Sequence, residues 1–377
     1  MPKVVLLNAD AMTGPSDDNA AAAAEPSRLA THVYTLSYLV FFSLLGTLAR
    51  LGLTALTHYL DSPVMFDSVW ANFGGSLIMG FLAEDRELFR LEGAAVQDPA
   101  LVQDLAPVQD LAADKKAHLA LKKTVPLYVG LATGFCGSFT SFSSFIRDAF
   151  LAVSNDLAAP GHATAEGGRS GGQSLMAMLA VVITTISLSL SGLFLGAHLA
   201  GAAGPWTPSL PRAVSRNALD PLGLVLGWGC WLGAVFLTIW PPHDAWRGRA
   251  GLALVLAPLG CLLRFYLGLH LNARVAAFPL GTFAANVAGT AVLGAAWDLA
   301  HSPMAAGVVA CQVLQGVEDG FCGCLTTVST WVAELSGLRR RDAYVYGSVS
   351  FAVSFALLVA VMGGLRWTGG FGPLACA

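Results

Sequence analysis

Segments of about twenty mostly apolar residues recur along the chain, at 34–57, 64–83, 125–153, 175–200, 221–240, 251–271, 279–300, 304–335 and 343–365. Each is long enough to cross the roughly 30 Å hydrocarbon core of a bilayer. Hydrocarbon offers no partner to a backbone amide or carbonyl, so segments of this length and chemistry fold as helices. Only 12% of the 377 residues are charged and 55% are hydrophobic, whereas a soluble domain is about one quarter charged. The expected fold is an all-α integral membrane protein of nine transmembrane helices.

The stretches between these segments are polar or glycine-rich. Residues 1–33 carry a short apolar run at 4–7, then Asp10, Asp17, Asp18, Glu25 and an alanine tract, and fit neither a secretory signal nor an arginine-rich transit peptide. They read as a disordered tail. Residues 84–123, where Val-Gln-Asp recurs at 96, 102 and 108, and residues 156–173 read as loops unable to form a packed domain. With nine spans the termini face opposite sides. Lys3, Arg28, Arg86, Arg90, Lys115, Lys116, Lys122, Lys123, Arg212, Arg216, Arg274 and Arg339–Arg341 fall on the amino-terminal side, and only Arg169, Arg247, Arg249 and Arg366 on the other. The positive-inside rule places the amino terminus in the cytoplasm and the residues after 366 outside. Basic residues form no stripe along one face, which argues against nucleic acid as a partner. The seven cysteines lack metal-ligand spacing and lie mostly in apolar stretches, so they read as small buried hydrophobes.

The apolar segments contain a repeat. Gly46-Thr-Leu-Ala-Arg50 matches Gly260-Cys-Leu-Leu-Arg264, and Ala71-Asn72-Phe-Gly-Gly75 matches Ala285-Asn286-Val-Ala-Gly289, both at an offset of 214 residues. Gly134-Phe-Cys-Gly-Ser-Phe-Thr140 matches Gly320-Phe-Cys-Gly-Cys-Leu-Thr326 at an offset of 186, because the loop before it is longer in the first copy. Two four-helix units, 34–200 and 249–366, are thus joined by 201–248, whose span carries none of the motifs. One extra helix between two four-helix units inverts the second relative to the first, an arrangement that builds pathways at a pseudo-twofold interface.

Each unit's glycine-flanked break frees backbone groups that protein, ion or water must satisfy. If the breaks cross at the axis, carbonyls near Gly137, Thr140, Gly323 and Thr326 suit a hard monovalent cation such as Na⁺; a kink packed against its twin without an ion is the alternative. Past each break lie hydroxyls, Thr140, Ser141, Ser143 and Ser144 in one copy and Thr326, Thr327, Ser329 and Thr330 in the other. They can donate to an anion without adding fixed charge, or bond back to their own helix. Thr184, Ser187 and Ser191 on the next helix, with Ser350 and Ser354 on its counterpart, suggest a polar track. Asn72 and Asn286 serve either as helix-to-helix glue or as amide donors to a permeating anion. Phe142 and Phe145 share a helix face, and their positive ring edges suit a desolvated anion. Val328 and Trp331 stand at those positions in the second copy, so the halves have diverged. Arg50 and Arg264 are intramembrane charges, functional candidates by default, with a tie to helix-end carbonyls as the plainer role.

These motifs, in this order, resemble the fluoride channel family, called Fluc or CrcB in bacteria, whose members are inverted dimers of four-helix subunits. Its eukaryotic exporter branch fuses two such units through an extra helix, and the resemblance covers about 34–200 and 249–366. It implies a central structural Na⁺ site at Gly137, Thr140, Gly323 and Thr326. It also implies pores lined by Asn72, Asn286, Phe142 and Phe145 with hydroxyls such as Ser141, Ser143, Thr327 and Ser329, and a fused pseudo-dimer working as a monomer in the plasma membrane. Val328 and Trp331 depart from the family pattern and put one of two equal pores in doubt. Passive, selective fluoride export is the leading expectation, with a proton-coupled transporter as the alternative. No Walker-type, His-Glu-x-x-His or Gly-x-Ser-x-Gly sequence occurs, so the chain is not expected to be an enzyme.

Overall fold

The computed structural model describes residues 28–59, 62, 64, 66–89, 117–157, 169–211, 214–243, 246–302 and 307–376. The tail at 1–27, the Val-Gln-Asp repeats and most of the 156–173 loop lie outside the described residues. Among those described there are helices and no strands. In chain order they are α1 (Arg28–Thr57), α2 (Ser68–Glu84), and the first broken helix, which runs through Pro126–Val129, a π-helical stretch Gly130–Cys136 and a turn Gly137–Phe139 (together α3) into α4 (Phe142–Val153). Next are α5 (Gly171–Ala203) and the linker helix α6 (Asp220–Ile239), then α7 (Leu252–Leu271) and α8 (Leu280–Ala300). The second broken helix follows: Val308–Gly316, π-helical Val317–Cys322 and Gly323–Leu325 (α9), then α10 (Ser329–Gly337), with α11 (Arg340–Thr368) last.

Seven helices among the described residues are long and apolar enough to cross a membrane, against the nine expected. The two that fall short have physical reasons. Helix α2 is 17 residues and starts at Ser68 rather than near 64, and α9 with α10 is interrupted and carries Glu318, Asp319 and Glu334.

The broken helices form the centre. Of the most apolar stretch in Pro126–Val153, 78% is buried, against 28% in α5 and in α11, whose remaining surface is left to lipid. Close backbone approach holds the layers together. A Cβ on Gly46 would meet Phe135 O at 2.6 Å and one on Gly260 would meet Phe321 O at 2.2 Å, so α1 lies directly on α3 and α7 directly on α9. Small residues serve this purpose in membrane bundles, where apolar burial does not drive helices together.

The linker helix leans on α1 and α7 at the outside of the bundle. Trp228 Nε1 donates to Ser37 Oγ at 3.0 Å and Trp231 Nε1 to Val255 O at 2.9 Å, while Leu222, Val225, Leu232 and Phe236 point outward.

Two loop expectations change. Lys122, assigned to a polar loop, is fully buried and donates to Leu82 O at 2.8 Å and Ala83 O at 3.1 Å, closing the carboxyl end of α2. Cys311 and Cys376, taken as small hydrophobes, form a disulfide that ties the last described residues to the start of α9. The segment between them and α11 packs inward, with Phe371 against Trp297 and His301 and Gly372 N–H donated to His301 O at 3.0 Å. Burial there holds the His301 imidazole below its ordinary pKa and therefore neutral near pH 7.

Candidate functional site

The chain opens at Thr140 (φ −90°, ψ 152°) and Thr326 (φ −94°, ψ 155°), matched positions three residues past Gly137 and Gly323. The Gly-Phe-Cys-Gly runs themselves remain helical or π-helical, so the break is not where glycine stands. Its cause lies on another helix. In an unbroken helix Ser141 N–H would bond to Gly137 O; here it goes to Asn72 Oδ1 at 2.9 Å, and Asn72 Nδ2 reaches Ser141 O at 3.4 Å. Asn286 repeats this, accepting from Thr327 N–H at 2.8 Å and donating to Thr327 O at 3.2 Å. Each amide pairs with the chain just past the break as a neighbouring strand would.

The next amides cross between units. Thr326 Oγ1 accepts Ser143 N–H at 3.0 Å, and Thr140 Oγ1 accepts Val328 N–H and Ser329 N–H, both at 3.2 Å. Each threonine also bonds back to its own incoming helix, Thr140 to Cys136 O and Thr326 to Cys322 O, both at 3.0 Å. The amino terminus of each outgoing half-helix is therefore capped by the other unit. Ser141 adds a local cap, its hydroxyl accepting Ser144 N–H at 3.2 Å, and Thr327 does the same for Thr330 N–H at 3.4 Å.

The arginines lie across the same junction. Arg50 Nε donates to Ser138 O at 3.1 Å and its Nη2 to Asp319 O, while Arg264 Nε donates to Cys324 O at 2.8 Å and its Nη2 to Thr133 O at 3.0 Å. Ser138 corresponds to Cys324 and Thr133 to Asp319 at the repeat offset, so the two guanidinium groups make the same pair of bonds. Each is 5% exposed. Each faces the other unit's glycine: a Cβ on Gly137 would meet Arg264 Nη1 at 2.2 Å, and one on Gly323 would meet Arg50 Nη2 at 2.3 Å.

What remains open follows from what is taken. The amides that would close onto Gly137 O, Thr140 O, Gly323 O and Thr326 O are all diverted, and Ser138 O and Cys324 O are held by arginine. Those four main-chain oxygens are released from their own helices' ladders, and uncharged oxygens are the kind of ligand a hard cation takes. On the other side of each break, two half-helices begin inside the bundle, and helix amino termini carry partial positive charge.

The hydroxyl track differs from the expectation. Ser187 and Ser191 are exposed, and Thr185 and Ser189 are the fully buried hydroxyls on α5. Among the described residues the hydroxyls of Ser76, Thr185, Ser189 and Ser354 are buried without a hydrogen-bond partner, whereas Thr290 and Ser350 bond back to Asn286 O and Tyr346 O at 2.7 Å. Ser76 and Thr290 stand four residues after the asparagines at the same 214 offset, a signal present in the sequence and missed.

Phe142 and Phe145 are fully buried with ring centroids 5.7 Å apart, edge to face. Phe142 also meets Trp331 edge to face at 5.2 Å, and Phe145 lies 6.0 Å from Phe351. Val328 and Trp331 are buried too, so the diverged positions of the second unit sit in the same aromatic cluster as the phenylalanines of the first. Each outgoing half-helix carries one hydrogen-bonded carboxylate: Asp148 on α4 accepts Ser68 Oγ–H at 2.6 Å and pairs with Arg147 at 3.1 Å, and Glu334 on α10 accepts Thr282 Oγ1–H and Tyr346 O–H, both at 2.7 Å.

The chain resembles known proteins in both units. The family model described as CrcB-like protein, Camphor Resistance (CrcB), matches residues 37–197 and 252–365. "Fluoride export protein 1" of Neurospora crassa is 64% identical over 367 residues, 93% of this chain and 70% of that protein. The protein of the same name in Candida albicans is 34% identical over 333 residues, covering 86% and 78% of the two chains. The "Fluoride-specific ion channel FluC" of Pseudomonas aeruginosa is 39% identical over 120 residues, 31% of this chain but 91% of its own, as expected of a protein one unit long. No solved structure matches. With its family model matched once in each half and both breaks built from the same residues, the chain belongs to the CrcB family.

Proposed function

We propose that this protein exports fluoride from the cytoplasm across the plasma membrane as a passive, selective channel, working as a single fused chain. The observation that carries the reading is the set of buried hydroxyls without a hydrogen-bond partner, at Ser76 on α2, Thr185 and Ser189 on α5 and Ser354 on α11, in a bundle where two half-helices also begin. An unpaired buried donor is costly, about 1–3 kcal/mol each. A small anion that accepts hydrogen bonds strongly offsets that cost, and hydroxyls and helix ends hold it without the tight grip of a fixed positive charge. The names of the relatives supply the choice of fluoride among small anions.

Asn72 and Asn286 spend one amide hydrogen on the main chain and keep a second for a passing ion. Phe142 and Phe145 contribute ring edges. Gly137, Thr140, Gly323 and Thr326 would hold a Na⁺ through main-chain oxygens, and the bound cation would supply structural cross-linking of the breaks. An inside-negative potential drives an anion outward by about 2.3 kcal/mol per 100 mV, so no other energy source is needed. The Cys311–Cys376 disulfide supports an outward-facing carboxyl terminus, since disulfides persist in oxidising surroundings.

The competing reading is proton-coupled export, favoured by the burial of Glu318 and the hydrogen-bonded Glu334. Fluoride efflux from proteoliposomes at clamped voltage, with and without a pH gradient, separates the two. A channel gives efflux that follows voltage and ignores the proton gradient; efflux that needs the proton gradient overturns the channel reading.

A further inference from the structure

A groove of about 710 Å³ lies between α5, α10 and α11, apart from the hydroxyls proposed for the ion path. Ser348 lines it, whereas Ser350 and Ser354 on the same helix are fully buried. Around α11 Ser350 lies about 200° from Ser348 and Ser354 about 120°, so groove and buried hydroxyls occupy different sides of that helix. The edges of the groove are open: Phe194 is 54% exposed and Tyr344 77%. In a bilayer they face lipid.

The chemistry of the groove changes along its length. α5 lines it from Val182 to Phe194 and α11 from Arg340 to Ala352, each a rise of about 18 Å. Half of a roughly 30 Å hydrocarbon core is about 15 Å, so the groove is about one leaflet deep. Its walls are apolar at Ile186, Leu190, Leu335 and Phe351, with the buried Trp331 innermost. Polar groups gather where α11 starts, at Arg340, Ser336 and Tyr344, and tyrosine is a residue of the headgroup level. Arg339, Arg340 and Arg341 are consecutive and exposed there. Asp342, 3.8 Å from Arg339, offsets part of that charge, and Glu334 on α10 is engaged by Thr282 and Tyr346. The mouth keeps a positive surplus.

We infer that this groove binds an anionic phospholipid, with one acyl chain between α5 and α11 and the phosphate at Arg339–Arg341, beside the hydroxyls of Ser336 and Tyr344. A soluble anion would leave the apolar walls uncovered, and an uncharged lipid would leave the arginines unanswered. Basic clusters at the start of a membrane helix attract anionic headgroups. The orientation proposed above makes this the cytoplasmic leaflet, but the site depends neither on that orientation nor on fluoride export. The bound chain covers Trp331, which meets Phe142 edge to face at 5.2 Å, and so braces the outgoing half-helix α10 against α5 and α11.

The test uses the purified full chain in phosphatidylcholine nanodiscs carrying a trace of phosphatidylserine with a photoreactive diazirine midway along one acyl chain. Cross-linked peptides are mapped after illumination. Labelling concentrated on residues 182–194 and 343–352 is expected, and replacing part of the phosphatidylcholine by unlabelled phosphatidylserine should remove it by competition. Arg339→Gln, Arg340→Gln and Arg341→Gln together should lower it at least about tenfold. Ala352→Trp, at an exposed position in the deep end, should lower it by filling the groove. Labelling absent from these segments, or spread evenly over the outward faces of α5, α6 and α11, overturns the inference. So does labelling unchanged by added phosphatidylserine, or undiminished in a folded arginine variant. Should the variants fail to fold, the competition on the wild-type chain decides by itself.

Discussion

Thr140 caps a helix that belongs to the other half of the molecule, its Oγ1 accepting the amide of Ser329 at 3.2 Å while Thr326 returns the bond to Ser143 at 3.0 Å. Neither unit completes its own broken helix. The four donors at the start of an α-helix need partners from outside its ladder, and inside a bilayer water cannot supply them. A chain holding one unit of this kind must find a second copy, and the fused chain brings its own.

Removing the hydroxyl therefore affects two units at once. Thr140→Val keeps the shape but leaves the amides of Val328 and Ser329 unpaired, at a cost of about 1–3 kcal/mol. Thr326→Val should cost a similar amount and Thr140→Ser little. Thermal unfolding of the purified protein in detergent measures each; a Thr140→Val protein as stable as wild type would discard the cross-capping account.

Asn72→Asp separates the two jobs given to the amide. A carboxylate still accepts Ser141 N–H, but its second oxygen faces Ser141 O where Nδ2 now donates. It also sets a negative charge beside the proposed path. Fluoride efflux should fall at least about tenfold, the equivalent of one lost charge-assisted hydrogen bond, and Asn286→Asp should act likewise. Unchanged efflux in both would remove the asparagines from the pathway.

These asparagines also mark the limit of what could be read from the chain alone. The repeat offsets carry through to atomic pairs: Arg50 with Ser138 and Asp319 is answered by Arg264 with Cys324 and Thr133. The position of the break was not legible, because glycine permits it and Asn72, a distant residue, causes it by taking the amide of Ser141. The buried face of α5 was not legible either. Hydroxyls at 184, 185, 187, 189 and 191 lie on several faces of one helix, and only packing against α2 selects Thr185 and Ser189. The Cys311–Cys376 pairing has no local signal, since spacing does not determine connectivity.

Packing of α2 on α5 depends on two glycines. A Cβ on Gly80 would fall 1.9 Å from Leu193 O, and one on Gly196 would fall 1.9 Å from Leu77 O, backbone atoms that cannot step aside. Gly80→Ala must push the helices apart and break the packing of α2, which carries Ser76, on α5, which carries the buried Thr185 and Ser189. A loss of folded, monodisperse protein on size exclusion is expected, with Gly52→Ala, which meets nothing within 4 Å, as the control. Normal yield and stability for Gly80→Ala would contradict this packing.

The arginine ties should behave as a coupled pair. Arg50→Gln strips a buried bridge from Ser138 O and Asp319 O, leaving carbonyls that cost about 1–3 kcal/mol each when unpaired. Because Arg264 crosses the same junction, the double variant Arg50→Gln with Arg264→Gln should lose stability non-additively, as residues of one network do. Strict additivity in unfolding free energy would mean that the two ties act independently.

The disulfide makes the most direct test of how the chain sits in the membrane. Cys311 and Cys376 are 65 residues apart in sequence, and a cross-link over a loop of that size stabilises by roughly 4 kcal/mol in the chain-entropy account. Cys376→Ser should therefore lower the unfolding temperature and release the segment that lays Phe371 on Trp297 and His301. If the carboxyl terminus lies outside the cell, brief treatment of intact cells with a membrane-impermeant reductant should expose Cys376 to an impermeant maleimide, with no labelling there before reduction. Labelling that requires permeabilised cells would place this end in the cytoplasm and reverse the proposed orientation of both units.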